Sequence, residues 1–142
     1  MATRSTIAVE NLDGSVSVVY CHFDGYLSNN GRILQEHYTD RSKVARLMQF
    51  GDLSSLGKNI GDSDGTYRTK DDCVFYGRDG QESDTECRIY ETYNDYINRS
   101  KIYEEYNYIL RRVNGMDIWF VQSYETEKKF VALTEALIKE TV

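Results

Sequence analysis

Apolar and polar residues alternate early in the chain. Ile7 and Val9 stand between smaller or polar neighbours, and beyond Asp13-Gly14 the alternation resumes through Val16, Val18 and Tyr20. A period of two lines one face of a strand, and Asp-Gly is a hairpin turn signal, so the stretch predicts a β-hairpin. The turn-forming run from Asp24 to Gly31 leads to Ile33, Leu34, His37 and Tyr38, whose spacing predicts a short helix. Asp40 can cap a second helix that turns Val44, Leu47 and Met48 to the core, with Gly51 placed to end it.

From Gly51 to Asp72 four glycines stand among Ser, Asp and Asn with few apolar residues, which predicts a long surface loop. Cys73-Val74-Phe75-Tyr76 reads as a short strand, and Gly77-Arg78-Asp79-Gly80 as a sharp turn that exposes its arginine. In Arg88 to Ser100, Tyr90, Tyr93 and Ile97 share a helical face, so helix is expected, although aromatic content also permits strand. Glu104 to Val121 forms the clearest hairpin, turning at Asn114-Gly115, with Tyr106, Tyr108 and Leu110 on one face and Asn107, Ile109 and Arg111 on the other. A helix from about Glu125 to Thr141 closes the chain, with Phe130, Leu133 and Leu137 as its stripe. The expected fold class is α+β: an antiparallel sheet built from the N-terminal and C-terminal hairpins, packed with two short helices and a C-terminal helix, in a single domain over 1–142.

Composition narrows the function. Hydrophobic residues make up 40% of the chain and charged residues 28%, an ordinary globular balance that argues against a disordered tail. Apolar runs such as Ile118 to Val121 are far shorter than a bilayer span, and Met1 to Arg4 opens no apolar leader, so neither secretion nor membrane insertion is expected. Cys21, Cys73 and Cys87 form no close pair, which suits reduced thiols in a cytoplasm. A formal charge of -6 disfavours general nucleic-acid binding, which draws on surplus Lys and Arg. The 12 tyrosines supply stackable rings with hydrogen-bonding tips, suited to ligand pockets and subunit interfaces as well as to a core.

Catalytic patterns are missing. Cys21, His22, His37, Cys73 and Cys87 lack the paired spacing of a zinc site, and adjacent strand residues Cys21 and His22 point to opposite faces, so they cannot act as nucleophile and base. The carboxylates Asp62, Asp64, Asp71-Asp72 and Glu104-Glu105 follow no ordering motif, and Gly57-Lys58-Asn59 is not a phosphate-binding P-loop. No enzyme activity, metal or cofactor is expected. What remains suits a compact dianionic nucleotide: Phe75, Tyr76 and the tyrosines to stack on a base, Arg78, Arg111 and Arg112 to hold a pyrophosphate. Residue types alone favour the other reading of the same set, in which the tyrosines are core or interface and Arg111 and Arg112 are ion-paired surface residues.

The stretches Ala2 to Ala8, Val19 to Tyr26, Gly31 to Tyr38, Phe75 to Arg78 and Glu104 to Arg111 resemble a family of small phage proteins, the Thoeris anti-defence proteins of the first type. The resemblance covers most of the chain outside Gly51 to Asp72 and Gln81 to Tyr103. It implies a sponge that binds a cyclic ADP-ribose isomer (glycocyclic ADP-ribose), made by TIR-domain immune enzymes, and sequesters it without cleavage in the cytoplasm of the infected bacterial host. It further implies, for some members, binding of cyclic trinucleotides at a separate site. A homo-oligomer, dimer or hexamer, is expected. The expected ligand-binding residues are Phe75 stacking on the purine, Arg78 and Arg111 clamping the pyrophosphate, and Asn107 reading a ribose or base edge, joined by Tyr108, His22 and Tyr26. The alternative is an acidic protein-interaction inhibitor of a host defence nuclease or complex.

Overall fold

The computed structural model describes residues 2–61, 69–99 and 104–140. The fold is α+β, with both hairpins in one eight-stranded sheet. β1 (Ser5–Glu10) and β2 (Val16–Cys21) form the first hairpin, and β6 (Tyr106–Val113) and β7 (Met116–Ser123) the second. The second turns through Asn114 at φ 52° and Gly115 at φ 80°, the left-handed pair that a two-residue turn demands. β1 pairs antiparallel with β2 and parallel with β6, so it lies at the middle of the sheet.

One face carries the main core. Ile7, Val9, Val19, Cys21, Tyr106, Tyr108, Leu110, Trp119 and Val121 meet Leu34, Val44, Leu47 and Met48. Leu34 comes from α1 (Arg32–His37), which continues a π-helical turn over Leu27–Gly31, and the other three from α2 (Arg41–Gln49). The Asp40 side chain caps α2 by accepting from Ser42 N at 3.0 Å, as its position at the helix start predicts.

The segment expected as a surface loop is partly built into this core. β3 (Leu53–Ser55) pairs parallel with β2 at Cys21 and antiparallel with β4 (Val74–Phe75). Leu53, Leu56 and Ile60 are buried, since a few well-spaced apolar residues suffice when glycine lets backbones touch: a side chain at Gly57 would collide with the Asp71 and Asp72 backbone. Asp62 and Asp64 lie outside the described residues.

Three further expectations are corrected. Tyr76–Gly80 is a helical turn, α3, that buries Arg78 instead of exposing it. The helix expected over Arg88 to Ser100 is β5 (Arg88–Tyr90), on the edge of β2, followed by α4 (Tyr93–Ile97). Tyr90, Tyr93 and Ile97 do share one destination, the second sheet face, which a strand and a helix reach as well as one helix would. The C-terminal helix begins ten residues late, at α5 (Glu135–Glu140), because Glu127 and Lys128 take left-handed φ of 56° and 63° and Val131–Ala132 adds β8 to the edge of β7. Phe130 and Leu133 thereby serve opposite faces of the sheet, not one helical stripe. No helix among the described residues is long and apolar enough to cross a membrane.

Candidate functional site

The second face of the sheet changes character along its strands. Register places Tyr20 opposite Thr6, Thr6 opposite Asn107 and Asn107 opposite Gln122, a polar row across four strands. Two residues further on, Val18, Ala8, Ile109 and Phe120 make an apolar row, roofed by Tyr90, Tyr93, Tyr96, Ile97 and Phe130. Beyond it Glu10 and Arg111 form an ion pair at the opposite end.

Hydrogen bonds fix the polar row. The Thr6 hydroxyl donates to Asn107 Oδ1 at 2.6 Å, so in its 3.0 Å contact with Tyr96 the tyrosine hydroxyl is the donor. Burial pushes the Tyr96 phenol up to about 12, which keeps that proton in place. Asn107 Nδ2 donates to Gln122 Oε1 at 3.3 Å, and Gln122 Nε2 to the Lys128 carbonyl at 2.8 Å. Above the row, Arg99 lies over the Tyr96 ring at 4.4 Å. Its Nη1 donates to the Tyr96 carbonyl at 2.8 Å, and its Nη2 to Asn107 Oδ1 at 2.8 Å and Glu104 Oε1 at 3.2 Å. These bonds use three of the five guanidinium N–H groups, and the guanidinium also hydrogen-bonds the Tyr96 side chain.

Two cavities open along this row, and both are lined by Arg99 and Glu104. The larger, about 450 Å³, is floored by Asn107 and Gln122 and flanked by Tyr124 and Lys128. The smaller, about 350 Å³, is lined by Thr6, Tyr20, Tyr90, Asp52 and Arg88. Tyr124 is 86% exposed and stands at the rim. The larger volume is that of a small-molecule site, and its lining offers a flat ring, two cations, two carboxylates and amide edges.

The expected ligand residues fall in separate places. Asn107 is in the cleft. Phe75 is fully buried between Phe50 at 5.1 Å and the Arg78 guanidinium at 4.7 Å, so its ring meets protein where stacking on a base was expected. Arg78, whose side chain is 6% exposed, is held by Asp79 and the Cys73 carbonyl; packing between two phenyl rings overrides its charge. Tyr108 lies in the main core and donates to the Gly25 carbonyl at 2.7 Å. His22 contacts Tyr20 Oη through Nδ1 at 2.7 Å, and Tyr26 is exposed just before the π-helical turn; neither lines the cleft. Arg111 is about 13 Å along β6 from Asn107, bonded to both Glu10 oxygens at 3.1 and 3.3 Å and stacked on Tyr93 at 3.7 Å.

Gln122, Tyr124, Lys128 and Arg99 were not singled out from the sequence. Gln122 was readable: a turn at Asn114-Gly115 pairs residues symmetrically about it, which sets Gln122 opposite Asn107. Among the described residues no group of three His, Cys, Asp or Glu could hold a metal ion. Comparison with family models, with curated proteins and with solved structures found no match to this chain.

Proposed function

We propose that the chain is a phage anti-defence sponge that binds a cyclic ADP-ribose isomer made by TIR-domain enzymes and holds it uncleaved in the host cytoplasm. The observation that carries this reading is the polar row roofed by Arg99, whose side chain lines both cavities. A pyrophosphate accepts from the Arg99 guanidinium, Lys128 adds charge, Tyr124 stacks on the purine, and Asn107 and Gln122 meet ribose or base edges. The residues that carry the family resemblance support it, because Thr6, Tyr20, Glu104 and Asn107 all lie within the resembling stretches and all line the cleft.

Binding without turnover fits the carboxylates at hand. Glu104 is engaged by Arg99, and Glu105 accepts the Arg4 backbone N–H at 2.8 Å, so neither is set to act as a base. Sequestration needs slow release, and a homo-oligomer that covered the open cleft would supply it.

The test is incubation with a cyclic ADP-ribose isomer, separation of protein from solution, and analysis of what heating releases. Intact ligand is the expected result, and altered ligand would make the protein an enzyme. No depletion would leave the acidic protein-interaction inhibitor, for which Leu12 and Met116, 73% and 66% exposed at the two hairpin turns, are the apolar contacts on offer.

A further inference from the structure

Arg99 and Arg111 stand at opposite ends of one sheet face, each over a tyrosine ring and each paired with a glutamate, but the pairs differ in kind. Glu10 meets Arg111 through two hydrogen bonds, a closed fork that satisfies the guanidinium edge. Glu104 meets Arg99 through one, at 3.2 Å, using Nη2 alone. The Arg99 and Glu104 side chains are only 11% and 16% exposed, so an empty cleft needs a counter-charge near Arg99. Among the described residues Glu104 supplies that charge by a single, replaceable bond. It also lines both cavities, so a group entering either one meets it.

We propose that Glu104 sets the charge threshold of the cleft: it is a resident stand-in for phosphate, and only a ligand that brings two negative charges in one compact group, as a pyrophosphate linkage does, displaces it. The inference rests on the reading that Arg99 is the phosphate contact. A monoanion would exchange one charge for another and gain too little to move the glutamate aside. A pyrophosphate replaces it, accepts from the Arg99 guanidinium, and uses Lys128 as well. Glu104 is thus a specificity-determining residue that need not touch the ligand after it has moved.

Calorimetric titration of the full chain with two probes tests this: inorganic pyrophosphate, and 3′,5′-cyclic AMP as a monoanion. The wild type should bind pyrophosphate and bind cyclic AMP at least about tenfold more weakly, the factor that 1.4 kcal/mol represents. In Glu104→Gln the cyclic AMP affinity should rise at least about tenfold and the preference for pyrophosphate should shrink. Glu135→Gln, the same charge change on α5, should leave both affinities as they are. If Glu104→Gln fails to fold, Glu104→Asp, which keeps the charge and shortens its reach, should give the same shift in smaller measure. Unchanged preference in the folded variant, or no pyrophosphate binding by wild type and variant, overturns the proposal. The sponge reading fails separately, when cyclic ADP-ribose isomers are not retained although pyrophosphate binds and the Glu104→Gln shift occurs.

Discussion

The two ends of the second sheet face are built from similar parts and reach different states. At one end Arg111 sits on Tyr93, and its Nε and Nη2 edge meets both Glu10 carboxylate oxygens. At the other, Arg99 sits on Tyr96 and meets Glu104 through one hydrogen bond, above a row of amide and hydroxyl groups already ordered by their own hydrogen bonds. The apolar row between them anchors both tyrosines. A guanidinium fixed by its stack and its backbone contact, yet not closed by its carboxylate, is preorganised for an anion at little reorganisation cost. Residue type alone would rank the two arginines equally; the number of hydrogen bonds each glutamate makes separates them.

Substitution at the open end should cost most in binding. Arg99→Ala should weaken retention of a cyclic ADP-ribose isomer about a hundredfold or more, since charge-assisted hydrogen bonds contribute about 1.5–3 kcal/mol each. Equilibrium dialysis measures it, and a loss under about threefold would dissolve the distinction between the ends.

Alkaline titration probes the tyrosine beneath Arg99. Burial raises the Tyr96 pKa to about 12 from the ordinary value near 10, and it also raises Tyr108. The folded state therefore holds these protons more tightly than the unfolded chain does. The stabilisation is complete below pH about 10 and lost as pH rises towards about 12, roughly 3 kcal/mol for Tyr96 alone. Denaturant melts across this range, read with tyrosinate absorbance, should show unfolding coincide with ionisation of the buried rings. Early ionisation of every tyrosine in a folded chain would contradict the ordered row.

A smaller effect separates binding from stability. Tyr124→Ala should reduce ligand affinity about tenfold, within the range of one base–aromatic stack, while thermal stability moves by no more than about 0.5 kcal/mol because the ring is exposed. At the closed end Arg111→Ala should do the reverse: a stability loss of about 1 kcal/mol from the broken Glu10 pair and the uncovered Tyr93 ring, with retention nearly unchanged. If Arg111→Ala abolishes retention and Arg99→Ala does not, the ligand belongs to the Arg111 end.

Both hairpins and the α2 cap were legible because each is written locally: Asp13-Gly14, Asn114-Gly115 and Asp40 act within a few residues of themselves. The stretch from Leu53 to Phe75 was not, since β3 and β4 are short and their burial depends on β2, far away in sequence. Arg78 misled for a related reason. Flanking glycines suggested an exposed turn, whereas Phe50 and Phe75 enclose it and Asp79 neutralises it. Of the cleft, Asn107 was readable from strand alternation. Arg99 was not, because its place depends on Tyr96 docking against a face whose polar row appears only once β1, β2, β6 and β7 are in register.

Backbone amide shifts during titration with a cyclic ADP-ribose isomer test the central claim most directly. The predicted result is a cluster of perturbations at Thr6, Tyr20, Asn107 and Gln122, with Val9, Glu10 and Arg111 unmoved. Perturbations centred on Glu10 and Arg111, or none at saturating ligand, would contradict it.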